Sequence, residues 1–311
     1  MVVDFHIHST ASDGTCSPSE LAAKAKGFAA IALTDHDNCD GVDEFLRRQE
    51  CRRPALGGRA SLDRHTGLQK QGRRHSCRRI SGIELSIEPG EGFDKFHLLG
   101  LGIDPENAEL KAFLKRVLDG RNGRNARILE NFRRLGIEME NIFAYAHGEV
   151  LARPHFARWL LEHGVVASIK EAFEKYLLPD SPAETRCYEE RWHPSQEEAF
   201  RVVHAAGGIC VMAHPKYWRR DWKDVGPDFK AAERELAALK EKGLDGVEAL
   251  YQANTVEENI EFTRIATRLG YLTTAGSDFH GANKPTISLG MEVAESFILP
   301  VLERLGVGRP D

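Results

Sequence analysis

The 311-residue sequence predicts an α/β fold in which a mostly parallel sheet, open or closed into a barrel, carries an inserted run of helices. Three observations lead there. Short apolar strands recur along the chain, separated by amphipathic helical patterns. Polar residues of metal-ligand type fall at or just after the C-terminal ends of those strands, where α/β folds place their sites. Between about 105 and 195 the strand signal stops while helical patterns continue.

The opening VVDFHIHS alternates, placing Val3, Phe5 and Ile7 on one face and Asp4, His6 and His8 on the other, the two-residue period of a strand. Ser17-Pro18-Ser19-Glu20 combines an N-cap, a proline at the first helical position and a capping-box glutamate, so a helix runs through ELAAKAK. IALTDH (31–36), GIELSI (82–87), FHLLGLGI (96–103), GICVMAHP (208–215), GVEALY (246–251) and YLTTAGSDFH (271–280) read as further strands. SQEEAFRVVHAAG, FKAAERELAALKEKG and TVEENIEFTRIATRLG read as helices among them. LKAFLKRVLDG, GRNARILENFRRLG, RPHFARWLLEHG and SIKEAFEKYLL make the insertion, suited to covering the strand ends and touching a substrate. The expected division is a barrel of residues 1–104 and 196–311 and an inserted, substrate-capping helical lobe of 105–195. Residues 47–79 crowd Arg and Lys with few large apolar side chains, and read as an irregular, poorly ordered segment or a stretch shifted out of frame.

Composition narrows the function. With 41% hydrophobic and 29% charged residues the chain is an ordinary globular one, and its net charge of -5 gives no global pull toward nucleic acid. An anionic substrate must be held by local groups. The six cysteines show no CxxC spacing, the opening strand is no secretory leader, and no apolar run approaches the roughly 18 to 20 residues that span a bilayer. The expectation is a cytoplasmic chain with reduced thiols, no membrane contact and no obligate protein partner. Neither GxSxG nor a P-loop occurs, which removes two hydrolytic plans.

The chemistry lies in acids and histidines at strand ends. His6 and His8 share a face, with Asp13 five residues further on. His36 ends the second strand beside Asp35, its orienting neighbour. Glu84 interrupts an apolar strand, where a carboxylate without a partner is costly, so it calls for a cation or a hydrogen-bond network. His97, His214, Asp278 and His280 complete the set. Clustered carboxylates and imidazoles need positive charge to coexist, and two or three divalent metals supply it. Imidazole and carboxylate donors favour Mn²⁺ or Fe²⁺, with Zn²⁺ also suited. Asp278 and His280 are the catalytic candidates; His280, or water on a metal, would protonate the leaving group.

HIHSTASDG, ALTDHD, GIELS, the His97 strand, MAHP and SDFH resemble, in this order, the motifs of the polymerase and histidinol phosphatase (PHP) family, from residue 1 to about 285 apart from 47–79. The resemblance implies a distorted barrel of seven strand–helix units with a trinuclear metal centre. It assigns His6, His8, Glu84 and Asp278 to one metal, Glu84, His97 and His214 to a second, and Asp13, His36 and His280 to a third. It also implies hydrolysis of a phosphoester by water activated on those metals. ARPHFARWLLEHG followed by EAFEKYLLP is similar to the subgroup of nucleoside 3′,5′-bisphosphate phosphatases and a related 5′-to-3′ exoribonuclease acting on short RNA. That likeness puts Arg153 and His155 at the substrate phosphate; a helix-capping Arg-Pro-His is the alternative. Where the subgroup usually has Gly-Lys-Pro this chain has Asp180-Ser181-Pro182, so a phosphate-binding lysine is missing. The competing readings are a histidinol-phosphate or other small-molecule phosphatase, an amidohydrolase-type enzyme cleaving a C–N bond, and a non-catalytic nucleic-acid-binding barrel. The second would use a strand-end lysine that the chain does not offer.

Overall fold

The computed structural model describes residues 1–47, 77–88, 94–146, 150–219, 222 and 225–307. They form β1 (Val2–Ile7), α1 (Pro18–Lys24), β2 (Ala30–Leu33), α2 (Val42–Leu46), β3 (Arg78–Ile87), β4 (Phe96–Leu101), α3 (Ala108–Arg134), α4 (Arg153–Glu162) and α5 (Ile169–Ala172). Then follow α6 (Gln196–Ala205), β5 (Ile209–Met212), α7 (Phe229–Glu241), β6 (Gly246–Tyr251), α8 (Val256–Arg268), β7 (Leu272–Gly276), β8 (Met291–Glu292) and α9 (Glu295–Arg304).

The strands make one sheet in the order β7-β6-β5-β4-β3-β2-β1-β8. Neighbours run parallel from β1 to β3 and from β5 to β7, while β4 is antiparallel to both β3 and β5. The reversal at β4 follows from its link: residues 88–95 are too few for the crossover that a parallel neighbour requires. The sheet curls until the chain leaving β7 meets β1, where Asp278 N donates to His6 O at 2.8 Å and His8 N donates to Phe279 O at 2.9 Å. The buried Asp4 carboxylate locks this seam by accepting from Ser277 N (2.9 Å), Ser277 Oγ (2.6 Å) and Gly290 N (2.8 Å). The product is a distorted, nearly closed barrel. The two-residue β8, which pairs antiparallel to Val2 and Val3, is an eighth strand beyond the seven expected.

The simple alternation expected of β1 is overturned at its end. Val3 and Phe5 pack in a core shared with Ala30, Ile80, Leu99, Val211 and α9, whereas Ile7 packs with Leu21, Leu33 and Phe45 beneath α1 and α2. The register of β1 against β2 shifts between Asp4 and Ile7, and such a bulge flips every side chain beyond it. One strand thus fills the barrel floor with Val3 and Phe5 and still turns His6 and His8 into the cavity at its C-terminal end.

α3 absorbs two helices that the sequence suggested separately, because Gly120 and Gly123 remain helical. Glycine weakens a helix by about 1 kcal/mol per residue, less than apolar burial at both ends returns. Leu110, Phe113 and Val117 pack against β3, β4 and α6 in one core; Ile128 and Phe132 pack with Phe156, Leu160 and Leu177 in another. α3 therefore spans from the barrel to the helices that follow it. After α5 a single π-turn, Phe173–Leu177, ends the SIKEAFEKYLL helix.

Most of the Arg-rich 47–79 interval lies outside the described residues, but its last part is ordered strand. Arg78 and Arg79 pair with Ala30 and Ile31, and their guanidinium groups donate to the Val307, Phe45 and Arg47 carbonyls. Among the described residues no helix is long and apolar enough to cross a membrane.

Phe132 is fully buried. Phe132→Ala is expected to lower unfolding free energy by about 3–5 kcal/mol, read by denaturant melts, with hydrogen exchange accelerating first in 128–187. A loss under about 1 kcal/mol would show that the second core does not carry these helices.

Candidate metal centre

All nine candidate ligands converge around Glu84, which is 1% exposed. Its Oε2 lies 3.3 Å from His6 Nε2, 3.1 Å from His8 Nε2 and 2.9 Å from His36 Nδ1. Its Oε1 lies 2.7 Å from His97 Nδ1 and 3.1 Å from His214 Nε2. Asp278 Oδ1 is 3.6, 3.4 and 3.3 Å from His6 Nε2, His8 Nε2 and His280 Nδ1. Asp13 Oδ1 is 3.8 Å from His36 Nε2 and 3.3 Å from His280 Nε2. Donor atoms thereby gather into overlapping groups: His6, His8 and Asp278; His6, Glu84 and His214; His36, Glu84 and His97; and His8, Asp13, His36 and His280.

Three features show that this set fits divalent cations. Asp13 Oδ1 and Glu84 Oε2 are buried oxygens with no hydrogen-bond partner, although imidazole nitrogens surround them. His6 Nε2 and His8 Nε2 face each other at 3.1 Å, an arrangement suited to two lone pairs converging on one ion. The titration behaviour asks for positive charge as well. Burial alone would depress both histidines, yet Glu248, Glu84 and Asp278 hold His6 well above its usual pKa, and Asp278 and Glu84 raise His8 to about 9. Against their own burial, Glu84 and Asp13 are held well below the usual carboxylate range by His36 first, then by His6 and His97 for Glu84 and by His280 and His8 for Asp13, and Asp278 is held there by His6, His8 and His280.

Supporting residues aim the ligands. Glu248 is fully buried, accepts from His6 Nδ1 at 3.0 Å and accepts the His214 amide at 2.7 Å, so His6 presents Nε2 to the cluster. Asp35 does not join the cluster; it accepts from Ser9 N, Ser9 Oγ and Ser12 Oγ at 2.8, 2.6 and 2.5 Å, and Ser12 Oγ reaches His8 Nδ1 at 3.5 Å. It thus acts through Ser12 on His8, and not on the neighbouring His36 as expected. Tyr251 and Lys284 donate to Asp278 Oδ2 at 3.0 and 2.5 Å, leaving Oδ1 toward the histidines. The backbone is strained here too. Asp37 (φ 55°), His214 (φ 29°) and Asp278 (φ 59°) are left-handed, and their amides donate to Glu84 O, Glu248 Oε2 and His6 O, which fix them in place. Glu248, Tyr251 and Lys284 escaped sequence reasoning. For Glu248 a signal existed: it interrupts the apolar GVEALY just as Glu84 interrupts GIELSI.

A cavity of about 770 Å³ adjoins the cluster. Asp13, His36 and His97 form part of its wall, and Arg121, Arg124, Arg153 and Arg191 another part. Arg121 and Arg191 both donate to Asp37 Oδ2. Arg153 donates to Leu177 O at 3.2 Å and lies over the Tyr188 ring. His155 is not on the wall: its Nδ1 accepts the Ala152 amide at 3.0 Å, a helix-capping bond at the start of α4. Of the segment replacing Gly-Lys-Pro, Asp180 reaches the wall, and Ser181 closes a turn by accepting from Leu178 N and donating to Phe173 O.

A barrel that gathers imidazoles and carboxylates at its strand ends, beside an arginine-lined cavity, belongs to the metal-dependent phosphoesterases. More specifically, the chain is a member of the PHP domain family, whose model matches residues 4–243. It is 30% identical, over 97% of its length and 94% of the relative's, to a 3′,5′-nucleoside bisphosphate phosphatase of Chromobacterium violaceum. It is also 30% identical to a 5′-3′ exoribonuclease of Haemophilus influenzae, with 89% of each chain covered. Among solved structures, a metal-dependent phosphoesterase from Bifidobacterium adolescentis superposes with a TM-score of 0.74 at 25% identity, covering 97% of this chain and 96% of that one.

Two outcomes test the centre. Glu248→Ala is expected to weaken divalent-metal binding about 10–100-fold in a chelator competition; unchanged binding would remove Glu248 from the design. Because His8 is raised from 6.5 to about 9, its stabilising contribution in metal-free protein is fully present below pH 6.5 and is lost as pH rises through 9. Melts in chelator should therefore fall across that window, and added metal, which prefers deprotonated ligands, should reverse the trend.

Proposed function

We propose that the chain hydrolyses a phosphate ester of a nucleotide, either a 3′,5′-bisphosphonucleoside or short 5′-phosphorylated RNA, with two or three divalent metals. The carrying observation is that the nine-residue cluster around Glu84 opens directly into a cavity walled by four arginines. The names of the relatives point to the same substrates.

His6, His8, Glu84 and Asp278 would hold one metal, Glu84, His97 and His214 a second, and Asp13, His36 and His280 a third. The donor set suits Mn²⁺ or Fe²⁺, with Zn²⁺ as the alternative. Such metals lower the pKa of water and neutralise charge on phosphoryl oxygens. The chain's own groups do the rest. Arg153 offers a forked guanidinium to phosphate oxygens, while Glu248, Asp35 and Tyr251 keep His6, His8 and Asp278 aimed. His280 donates from Nδ1 to Asp278 O at 2.8 Å, so Nε2 is left as a ligand lone pair. This favours His280 as a ligand over its role as proton donor to the leaving group. Residues 105–195 act as the capping lobe, since α3, α4 and the π-turn supply Arg121, Arg124, Arg153 and Phe173 to the cavity wall.

Phosphate release should be measured with adenosine 3′,5′-bisphosphate, histidinol phosphate and p-nitrophenyl phosphate, and release of nucleoside 5′-monophosphate with 5′-phosphorylated RNA. Nucleotide or RNA is expected to be the preferred substrate, with His8→Ala and Asp278→Ala losing more than the about 10–100-fold typical of an outer partner. Activity unchanged in both variants would sink the metal-cluster mechanism. Turnover of histidinol phosphate alone would overturn the nucleotide assignment.

A further inference from the structure

Helix α8 carries two apolar stripes where one would hold it to the barrel. Phe262, Ile265 and Ala266 pack inward with Val247 and Ala249 of β6. On the outer side Val256 and Ile260 are 71% and 58% exposed, and with Thr263, Thr267, Leu250 of β6 and Phe297 of α9 they line a groove of about 820 Å³. A second apolar stripe beside a groove marks a contact surface. Two gradients run along the helix. In the outer stripe the bulky Val256 and Ile260 come first and the smaller Thr263 and Thr267 follow. In the stripe beside it Glu257 and Glu261 come first and Arg264 and Arg268 follow. At about 3.6 residues per turn, each set of four falls within about 60° of the helix surface. Glu257 and Arg268 are, moreover, equally far from the midpoint between Glu261 and Arg264.

We propose that this face is the interface of a homodimer, in which α8 of a second copy lies antiparallel on α8 across a two-fold axis at that midpoint. Turning a helix end for end reverses both gradients, so each half of α8 meets its complement. Glu257 faces the partner's Arg268, Glu261 faces the partner's Arg264, and Val256 and Ile260 seat on the partner's Thr263 and Thr267. A two-fold axis sets the same patch of both copies together, so charged stripe lies on charged stripe and apolar on apolar. A purely acidic or purely basic peptide would satisfy half of the charged stripe, whereas a second copy satisfies all of it. The internal pairs Glu261–Arg264 and Arg268–Glu233 leave these groups available, because they lie at the surface, where ion pairs hold weakly.

Sedimentation equilibrium across a dilution series tests this: the chain is expected to pass from 34.8 kDa to twice that mass as concentration rises. Glu257→Arg and Arg268→Glu should each raise the dimer dissociation constant at least about tenfold, since like charges then meet at both ends of the helix pair. The double variant Glu257→Arg/Arg268→Glu should recover it. An equimolar mixture of the two single variants should associate as well, because one copy then offers arginine and the other glutamate at both positions. Ile260→Lys should abolish association with Tm little changed, as this side chain is exposed and lies outside the core. A chain that stays at 34.8 kDa up to its highest soluble concentration would overturn the proposal. So would a dimer that both single charge variants leave intact, or one that a double variant of unaltered Tm fails to restore.

Discussion

Glu84 is the constraint around which the rest of the structure is arranged. A carboxylate at 1% exposure touches five imidazoles, three through Oε2 and two through Oε1, so four different strands must bring their histidines to nearly the same point. Only a sheet closed on itself brings β1, β2, β4 and β5 together that way. The antiparallel entry of β4 serves the same end, since it presents His97 directly opposite Ser86, two residues from Glu84.

Meeting that constraint needs departures from regular structure, and they sit where the ligands are. The bulge in β1 turns His6 and His8 inward after Val3 and Phe5 have filled the floor. His214 and Asp278 adopt left-handed backbone, a conformation disfavoured by about 1–3 kcal/mol for residues with a Cβ, and each is tied by its amide to another member of the site. Gly276 belongs to the same scheme. A Cβ there would collide with the Glu248 carboxylate and the His6 side chain, so glycine is what allows these two to meet behind the cluster.

The candidate ligands were legible in the sequence because most of them stand in or just after apolar strands, where chemistry and periodicity are read together. Glu84 and Glu248 differ only in how the surrounding residues advertise them. GIELS sits within an ordered series of motifs, whereas GVEALY looks like a plain buried strand unless its one acid is questioned. The bulge was hidden because alternation over a few residues cannot show a register shift that only the partner strand defines. Arg121 and Arg124 were hidden for another reason. On a helix rich in exposed arginine and lysine they look like solvated charges, and only the approach of the segment carrying Arg191 buries them. His155 illustrates the opposite case, since an Arg-Pro-His at a helix start answers equally to phosphate binding and to capping, and its Nδ1 accepts the capping bond from Ala152 N.

Asp37 connects the two charged regions. Its amide donates to Glu84 O at 2.8 Å, its Oδ1 accepts from Ser86 N at 3.2 Å, and its Oδ2 receives Arg121 and Arg191. Despite burial, those two guanidiniums hold it well below the usual carboxylate range, so it is ionised at neutral pH. The strand that carries Glu84 and the arginine wall are thus set at a fixed spacing by one residue in left-handed backbone. Arg124 lies buried on that wall with its Nε unmet among the described residues, so the wall holds positive charge that the protein does not itself neutralise.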